Sequence, residues 1–480
     1  MRPFPPMPRP RCLSAAARIL AAIACVVAYA AAGDAASPPM AQPLPAFLGA
    51  EGYGRWATGG RGGDVYHVTT LSDGGPGSLR DAIGSKQAEV PRTVVFDVAG
   101  TIRLKKPLRI EGVRGLTIAG QTAPGAGVAV RDHGVLFLRC TDIIVRYLRF
   151  RLGDETRTSE DVLHVGPEQG TCRDVIFDHV TATWGIDGIM DVYAADRFTM
   201  QWCLFGEALN DSTHHKREPH AMLMSFRKIK GNVTIHHNLL FSSRDRHPTL
   251  GGYPPPESNP EAIFDFRNNV IYNWEGACNL ATGRFNIVGN YWRPGPDTRP
   301  YDKAKPLAPK AEAQGVTTGF LAGNVFESQG PWTAENDAAF EWGTRGGKYI
   351  GDVKPEAFLQ PAEIVPVADR PTTQTAEEAY ELVLTRAGAS RVRDAADERV
   401  IGGVRDRTNR RIDSQRQVGG WPDLESSPCP TDTDADGMPD AWERSEGLDP
   451  HDAADRNRVL DGGYTALEHY LQDRADDPPA

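Results

Sequence analysis

Between Thr93 and Trp292 short apolar runs alternate with Gly, Asn, Asp and charged residues: TVVFDVAG, GLTIAG, GVLFL, DIIVRYLRF, DVIFDHVTATW, RFTMQWCLF, NVTIHHNLLF, AIFDFRNNVIYNW and RFNIVGNYW. Each run is rich in Val, Ile and Phe and about four to six residues long, a strand pattern. No amphipathic helical period separates them, which argues against an alternating βαβ fold. The units return irregularly, roughly every 20–35 residues, as coils of constant core with loops of variable length would. The expected fold is all-β, a parallel β-helix; the alternative on pattern alone is a β-sandwich with long connections. Asn238, Asn269 and Asn290 close three of the units, and side-chain amides in such places bond along a stacked sheet. His236 and His237 fall in a strand pattern, so one is expected to face outward and the other to pack.

After Pro294 the texture changes. Residues 294–310 are rich in Pro, Lys and Asp, and 353–372 read as loop. The segment from Thr375 to Ala389 predicts a helix, with carboxylates at its start and Gly near its end. Pro428, Cys429 and Pro430 introduce an acidic run. The expected organisation is an export signal over 1–32, a β-helix over 45–350, an extension with a helix and loops over 351–428, and a small C-terminal module over 429–480.

The N-terminus carries Arg2, Arg9, Arg11 and Arg18, then an apolar run from Ile19 to Ala32 ending in small residues, the pattern of a cleaved signal peptide. A lipid anchor through Cys25 is the weaker alternative, because Ala22-Ile23-Ala24 is a poor lipobox. Secretion or a periplasmic address follows, with no stable membrane partner. The net charge of −10 becomes −14 once those arginines are removed. That disfavours nucleic acid as a partner but leaves an acidic ligand possible, since local charge can oppose the global sign. Five cysteines remain after the leader, at 140, 172, 203, 278 and 429, with no CxxC pair; a zinc ribbon is not expected.

Three clusters carry candidate chemistry. In WGIDGIMDV, residues 184–192, Asp187 and Asp191 stand among apolar residues and glycines. On one strand they would lie roughly 13 Å apart, so they meet only if the chain bends, which Gly188 permits. Two such charges brought together require a cation. In the C-terminal module, DTDADGMPDAWE places Asp432, Asp434, Asp436, Asp440 and Glu443 at loop positions 1, 3, 5, 9 and 12, with Gly437 at 6. That is the oxygen spacing of an EF-hand calcium loop, although Pro439 at position 8 is unusual. The segment 461–472 reads as its partner helix. Basic residues cluster in HHKREPH (214–220) and SSRDRHPTLGG (242–252), on either side of one strand pattern. Lys216, Arg217, His220, Arg244 and Arg246 therefore lie at coil edges, and two clusters bracketing one coil suggest a groove.

The ordered set GAEGYGRWATGGRGGDVYHVTTLSDGGPGSLRDAI (49–83), TIAGQTAPGAGV (117–128), VIFDHVTATWGIDGIMDV (175–192) and HHNLLFSSRDRHP (236–248) resembles the pectate lyases of polysaccharide lyase family 1. The DGMPDAWE tail also resembles calcium-binding tails of secreted lyases. The resemblance implies a right-handed, single-stranded parallel β-helix with a small calcium-binding appendage. It implies Ca2+ held by Asp187, Asp191 and Asp161, with Ser159 where many members carry a second acid and Glu160 as its possible substitute. It implies Arg246, in the pattern Arg246-His247-Pro248, as the catalytic residue, and Lys216 as a substrate-binding residue. Many members carry a further arginine where this chain has Gly251, so that cation is either missing or supplied by Arg244. His220 is a third substrate-binding candidate.

The implied substrate is polygalacturonate, an acidic polysaccharide, cleaved by a monomer through β-elimination to 4,5-unsaturated oligogalacturonides. The reaction removes the proton at C5 and expels the oxygen at C4, with calcium and cationic side chains stabilising the developing charge. A base at Arg246 is chemically awkward, because arginine is normally protonated. Two rival readings remain: a β-helical glycoside hydrolase using paired carboxylates and water, for which no Gly-His-Gly signal with clustered Asp is present, and a calcium-dependent uronate-binding protein without turnover.

Overall fold

A computed structural model describes residues 43–476, apart from 167–168, 254, 300–304, 310–316 and 343–353. The export segment over 1–32 lies outside the described residues. No helix among the described residues is long and apolar enough to cross a membrane.

The apolar runs form three parallel sheets of ten, nine and eight strands among the described residues. Each coil donates one strand to each sheet. The coil that carries the two aspartates contributes Cys172–Asp178, Thr181–Thr183 and Gly188–Tyr193, and the next begins at Ala195. Every strand pairs in parallel with its counterpart one coil away; Cys172–Asp178, for example, lies between Thr141–Arg146 and Ala195–Gln201. The architecture is a parallel β-helix. It begins earlier than the apolar pattern indicated, at Asp64–Val68, and continues to Val325–Phe326.

In the interior, aromatic rings from two facing sheets meet: Phe137 and Phe226 of the eight-stranded sheet and Phe177 and Phe198 of the ten-stranded sheet, with ring centroids 5.4 Å (Phe137–Phe177), 5.9 Å (Phe177–Phe198) and 5.7 Å (Phe198–Phe226) apart. Where the chain turns from the ten-stranded to the nine-stranded sheet, a single residue takes a left-handed conformation: Tyr147, His179, Trp202, His237 and Asn268, with φ between 52° and 56°. Asn tolerates that region readily, whereas rings are held in it by packing. His237 is one of these corners, and both histidines are buried, with the two Nδ1 atoms 2.8 Å apart. Neither is exposed, because His237 at the corner stacks on Trp202 and its Nε2 meets Gln374 Oε1 at 2.6 Å under the C-terminal extension.

The residue after each corner points inward. Asn238, Asn269, Asn290 and Asn324 occupy this place on four consecutive coils. Asn238 Nδ2 donates to Asn269 Oδ1 at 2.9 Å, Asn269 Nδ2 to Asn290 Oδ1 at 3.0 Å, and Asn290 Nδ2 to Asn324 Oδ1 at 3.0 Å. Each oxygen also accepts the backbone N–H of the preceding coil, as Asn269 does from Asn238 at 3.1 Å.

The C-terminal part packs on the outside. Helix Ala376–Arg386 starts with a capping box between Thr375 and Glu378 and ends before Gly388, which has φ 83°. Its Val383 and Leu384 cover Leu204, Leu239, Phe241, Val270 and Tyr272. A further helix, Ala395–Asp406, has no counterpart in the expected elements, since its paired glycines obscure the helical period. It is anchored by buried charges: Arg151 donates to Asp394 at 2.8 Å and to Asp397 at 2.9 Å. The last helix, Ala466–Asp476, joins Met438 and Leu448 in a small core against Ala119. Residues from Leu44 onward form one compact unit. All five cysteines beyond the leader are free thiols, four of them buried.

Replacing Asn269 by Leu keeps the volume but strands the amide and backbone N–H of Asn238 and the carbonyl of Ile235, which accepts from Asn269 Nδ2 at 2.9 Å. The expected loss is about 2–4 kcal/mol, read as a lowered Tm by calorimetry.

Candidate functional site

The outer face of the eight-stranded sheet carries one row in strict register: Arg109, Leu136, His164, Asp191, Ser225, Thr249 and Asn279. Asp191 thus lies between His164 and Ser225, and Ser225 Oγ donates to its carboxylate. Asp161 enters from the coil before. Its carboxylate leans over Gly188, where an added Cβ would come within 2.7 Å of Oδ1. A larger residue there would displace the Asp161 carboxylate from its place, which accounts for the Asp-Gly pair in the motif. Gly185 is equally constrained, its Cβ position lying 2.0 Å from the Gly188 carbonyl. That close approach shapes the turn before Gly188; from Gly188 the chain runs as an extended strand through Asp191 to Tyr193, so the bend expected at Gly188 is not found.

Charge in this cluster is unbalanced. Burial, with help from the charges of Asp191 and Asp187, pushes Asp161 up to about 6, against the pull of His164. Burial also raises Asp187, but the hydrogen bond from His220 and the charges of His214 and Arg246 outweigh it and hold the group below the usual range. Arg246, in a left-handed conformation with φ 64°, brings Nη1 to 3.7 Å from Asp191 Oδ1. The structure therefore places Asp161, Asp187, Asp191 and Arg246 around one stretch of the sheet.

The other cations fall differently. His220 is buried and bonds Asp187 Oδ1 at 2.8 Å; its ring stacks on buried His214 with centroids 3.8 Å apart. It orients a carboxylate rather than facing solvent. Lys216 lies exposed on the loop between Asn210 and His220, with no ion pair to the aspartates among the described residues. The Arg244 guanidinium is turned to the Pro219 carbonyl, so it does not fill the place left by Gly251. Glu160 does not substitute for an acid at Ser159: its oxygens accept from Gly134 N at 2.8 Å and face His133 Nδ1 at 3.1 Å, on the preceding coil.

Three residues not singled out by sequence reasoning belong to this face. His164 stacks on Tyr193, centroids 5.8 Å apart, and Arg227 Nη1 meets the Tyr193 hydroxyl at 3.4 Å. Arg227 also lies beside Gly252, whose Cβ position is 3.7 Å from its Cγ. The alternation in Leu223-Met224-Ser225-Phe226-Arg227 was the available signal, since it puts Arg227 on the face of Ser225.

A second acidic cluster lies in the C-terminal segment. Asp432, Asp434 and Asp436 bring ligand-type oxygens within 4.8 Å of one another, and so do Asp436, Glu443 and Asp455. Gly437, φ 95°, makes the sharp turn, and Asp432 accepts its N–H at 2.9 Å. Both oxygens of Asp434 and of Glu443, Asp436 Oδ2 and Asp455 Oδ1 are buried without a hydrogen-bond partner. Burial and mutual repulsion push Asp436 up to about 7 and Glu443 up to about 8. Buried carboxylate oxygens without donors are the chemistry of a hard-cation cage. Asp440 is not part of it. Its carboxylate accepts from Thr433 N at 2.8 Å, Thr433 Oγ1 at 2.9 Å and Arg444 Nη2 at 3.0 Å. Helix Asp440–Glu446 starts at that point, the position 9 carboxylate is occupied by Thr433 and Arg444, and Asp455 from the following loop joins Asp436 and Glu443 instead.

The chain is 33% identical over 442 residues to a probable pectate lyase C of Aspergillus flavus, spanning 88% of this chain and 93% of the relative. It is 33% identical over 434 residues to a probable pectate lyase C of Emericella nidulans, spanning 88% and 91%. Among solved structures it is similar to a pectate lyase from Bacillus sp. N165 in complex with trigalacturonate (16% identity, 70% of this chain and 98% of that one, TM-score 0.48). It is also similar to pectate lyase C from Erwinia chrysanthemi at pH 9.5 with 30 mM Ca2+ (11%, 72% and 98%, TM-score 0.46). No family model matches the chain. The relatives define its class as a polysaccharide lyase. The chain belongs to the pectate lyase family.

Three raised carboxyls have a consequence for stability. In the folded chain Asp161, Asp436 and Glu443 hold protons up to about 6, 7 and 8, whereas in the unfolded chain they ionise near about 4. The folded state therefore binds more protons across this window, and the metal-free protein should lose stability as pH rises from about 5 to 9. Asp161→Asn should flatten the lower part of that fall and Glu443→Gln the upper part, read as Tm against pH in chelator.

Proposed function

We propose that the protein is a secreted pectate lyase that cleaves polygalacturonate by calcium-assisted β-elimination, releasing 4,5-unsaturated oligogalacturonides. The observation that carries this reading is Arg246 standing 3.7 Å from Asp191, a member of the outer row of the eight-stranded sheet, with the charges of Asp187 and Asp161 felt beside them. The raised Asp161 and the unpaired oxygens of the C-terminal cage fit a cation. Asp161, Asp187 and Asp191 would hold one calcium ion on the sheet, and Asp432, Asp434, Asp436, Glu443 and Asp455 another in the tail.

Bound at the sheet, calcium supplies positive charge that draws the uronate carboxylate and offsets the hold of Asp191 on the Arg246 proton. The remaining work belongs to the chain. Arg246 is placed to take the C5 proton or to stabilise the charge that forms as it leaves. While Asp191 stays unneutralised, its charge favours a protonated guanidinium, so the base role depends on Asp191 being otherwise engaged. His220 fixes Asp187 in orientation. Arg227, with Tyr193, offers a second cation two residues along the groove from Ser225 and stands in for the arginine missing at Gly251. The first 32 residues support an exported enzyme.

Turnover of polygalacturonate is expected to give rising ultraviolet absorbance from the conjugated uronate, dependent on calcium. Arg246→Ala should lower kcat by about 10²–10⁴-fold. Reducing ends without that absorbance would indicate hydrolysis, and binding without turnover a binding protein; either would overturn the proposal. Arg227→Ala should raise KM more than it lowers kcat.

The two calcium sites should separate by mutation. Glu443→Gln is expected to abolish the rise in Tm on adding calcium while leaving most of the calcium-dependent rate. Asp191→Asn is expected to do the reverse. Equal loss of both properties in each variant would show that the sites are not distinct.

A further inference from the structure

The corner residues of four consecutive coils build a stack of rings along the edge of the β-helix, with His179 and Trp202 half-buried and Tyr147 and His237 buried. Tyr147 and His179 lie 4.7 Å apart at 9°, His179 and Trp202 6.1 Å apart at 15°, and Trp202 and His237 4.2 Å apart at 25°. They line the corner between the ten- and nine-stranded sheets, not the sheet that carries Asp191. Beside Tyr147, His179 and Trp202 runs a groove of about 550 Å³, walled by the end of helix Ala376–Arg386, by Gln472 and Asp476 of the last helix, and by Phe47–Gly49. Its size falls within the roughly 300–1,000 Å³ of small-ligand sites.

The charge of this groove opposes that of the protein. Arg146, Arg386 and Arg391 line it, against Asp178 and Asp476. Asp178 is spent internally: Arg146 Nε donates to it at 2.7 Å and His179 Nδ1 lies at 2.9 Å. These partners hold Asp178 below the usual carboxylate range, overcoming burial. Arg386 is different. Its guanidinium lies 5.7 Å from the Trp202 ring centroid and makes no ion pair among the described residues. The indole N–H of Trp202 likewise has no hydrogen-bond partner among them. The groove thus offers a cation held by no carboxylate and a wall that includes three of the rings. A neutral sugar would leave the cation unused and a bare anion would leave the rings unused, whereas a uronate has both a carboxylate and an apolar C–H surface.

We propose that this groove is a second, non-catalytic binding site for uronate chains. This rests on the reading of the protein as a lyase of polygalacturonate, whose own polymer supplies the occupant. The site needs no calcium, because its cations are arginines. Holding a second stretch of polymer would keep the enzyme near its substrate by raising effective concentration, an advantage for long chains and none for short ones.

The test is calorimetric titration of trigalacturonate into the Arg246→Ala protein with calcium present. Two classes of site per chain are expected. Arg386→Glu, an exposed helix-end change, should weaken one class at least tenfold, and Asp191→Asn only the other. In the active protein, Arg386→Glu should leave kcat on trigalacturonate unchanged and raise KM on long polygalacturonate. One class of site lost with Asp191→Asn and indifferent to Arg386→Glu would overturn the groove and leave the lyase reading intact. One class sensitive only to Arg386→Glu would support the groove and overturn the sheet site. Arg386→Gln, which removes charge without reversing it, guards against a repulsion artefact: wild-type affinity in that variant would also overturn the proposal.

Discussion

Register between parallel strands is the constraint on which the rest of this structure depends. Neighbouring strands lie about 4.8 Å apart, and a residue on one coil has a fixed counterpart on the next. The Asn stack locks that register from inside. Outside, the same register compels His164, Asp191 and Ser225 into one row. In a mobile loop, Asp161, Asp187 and Asp191 would splay apart under their own repulsion. On a β-helix the backbone bonds hold them together, and the raised Asp161 records the cost. A site that must concentrate negative charge in order to attract a cation therefore suits a scaffold whose side-chain positions are set by its ladder.

The two acidic clusters are built on different principles. On the sheet, His164, His220 and Arg246 each compensate part of the charge, so the face remains folded and partly neutral by itself. In the tail, Arg444 is turned to Asp440, and the oxygens of Asp434 and Glu443, with one each of Asp436 and Asp455, meet no donor. A cage of that kind gains most from an ion and is least stable without one. Its loop is also bound to the first coil, where His67 faces Asp97 at 3.0 Å and the Ala435 carbonyl at 3.2 Å. Tail and β-helix are thus joined at the end of the coil stack, where an edge strand would otherwise be exposed.

Much of the scaffold was legible because strand period, turn residues and Asn positions all repeat along one axis. Features that depend on how coils lie beside one another were not. The left-handed corners could not be read, since Tyr147, His179 and Trp202 are unlike the residues that usually mark positive φ. The helix Ala395–Asp406 was hidden by two glycines and by buried charges whose partners, Arg149 and Arg151, lie far away in sequence. Loop spacing singled out Asp432, Asp434, Asp436, Asp440 and Glu443, but could not reveal that Thr433 and Arg444 occupy Asp440 while Asp455 closes the cage. Lys216 and Arg244 drew notice by clustering in sequence, yet clustering says nothing about direction, and neither is paired with the aspartates.

Register also decides which side chains share ground across coils. Phe226 pairs with Leu250, so the residues that follow each, Arg227 and Gly251, are neighbours across coils. A long side chain rooted on one coil reaches ground beside the next, as Arg227 does where its Cγ lies 3.7 Å from the Cβ position of Gly252. Gly251 answers to a different neighbour, the backbone of Thr282, whose carbonyl an added Cβ would approach to 2.4 Å. The same dependence on neighbours bears on Arg246. If it is the reacting group, its chemistry would depend less on its own side chain, which is a poor base alone, than on what engages the Asp191 carboxylate 3.7 Å away.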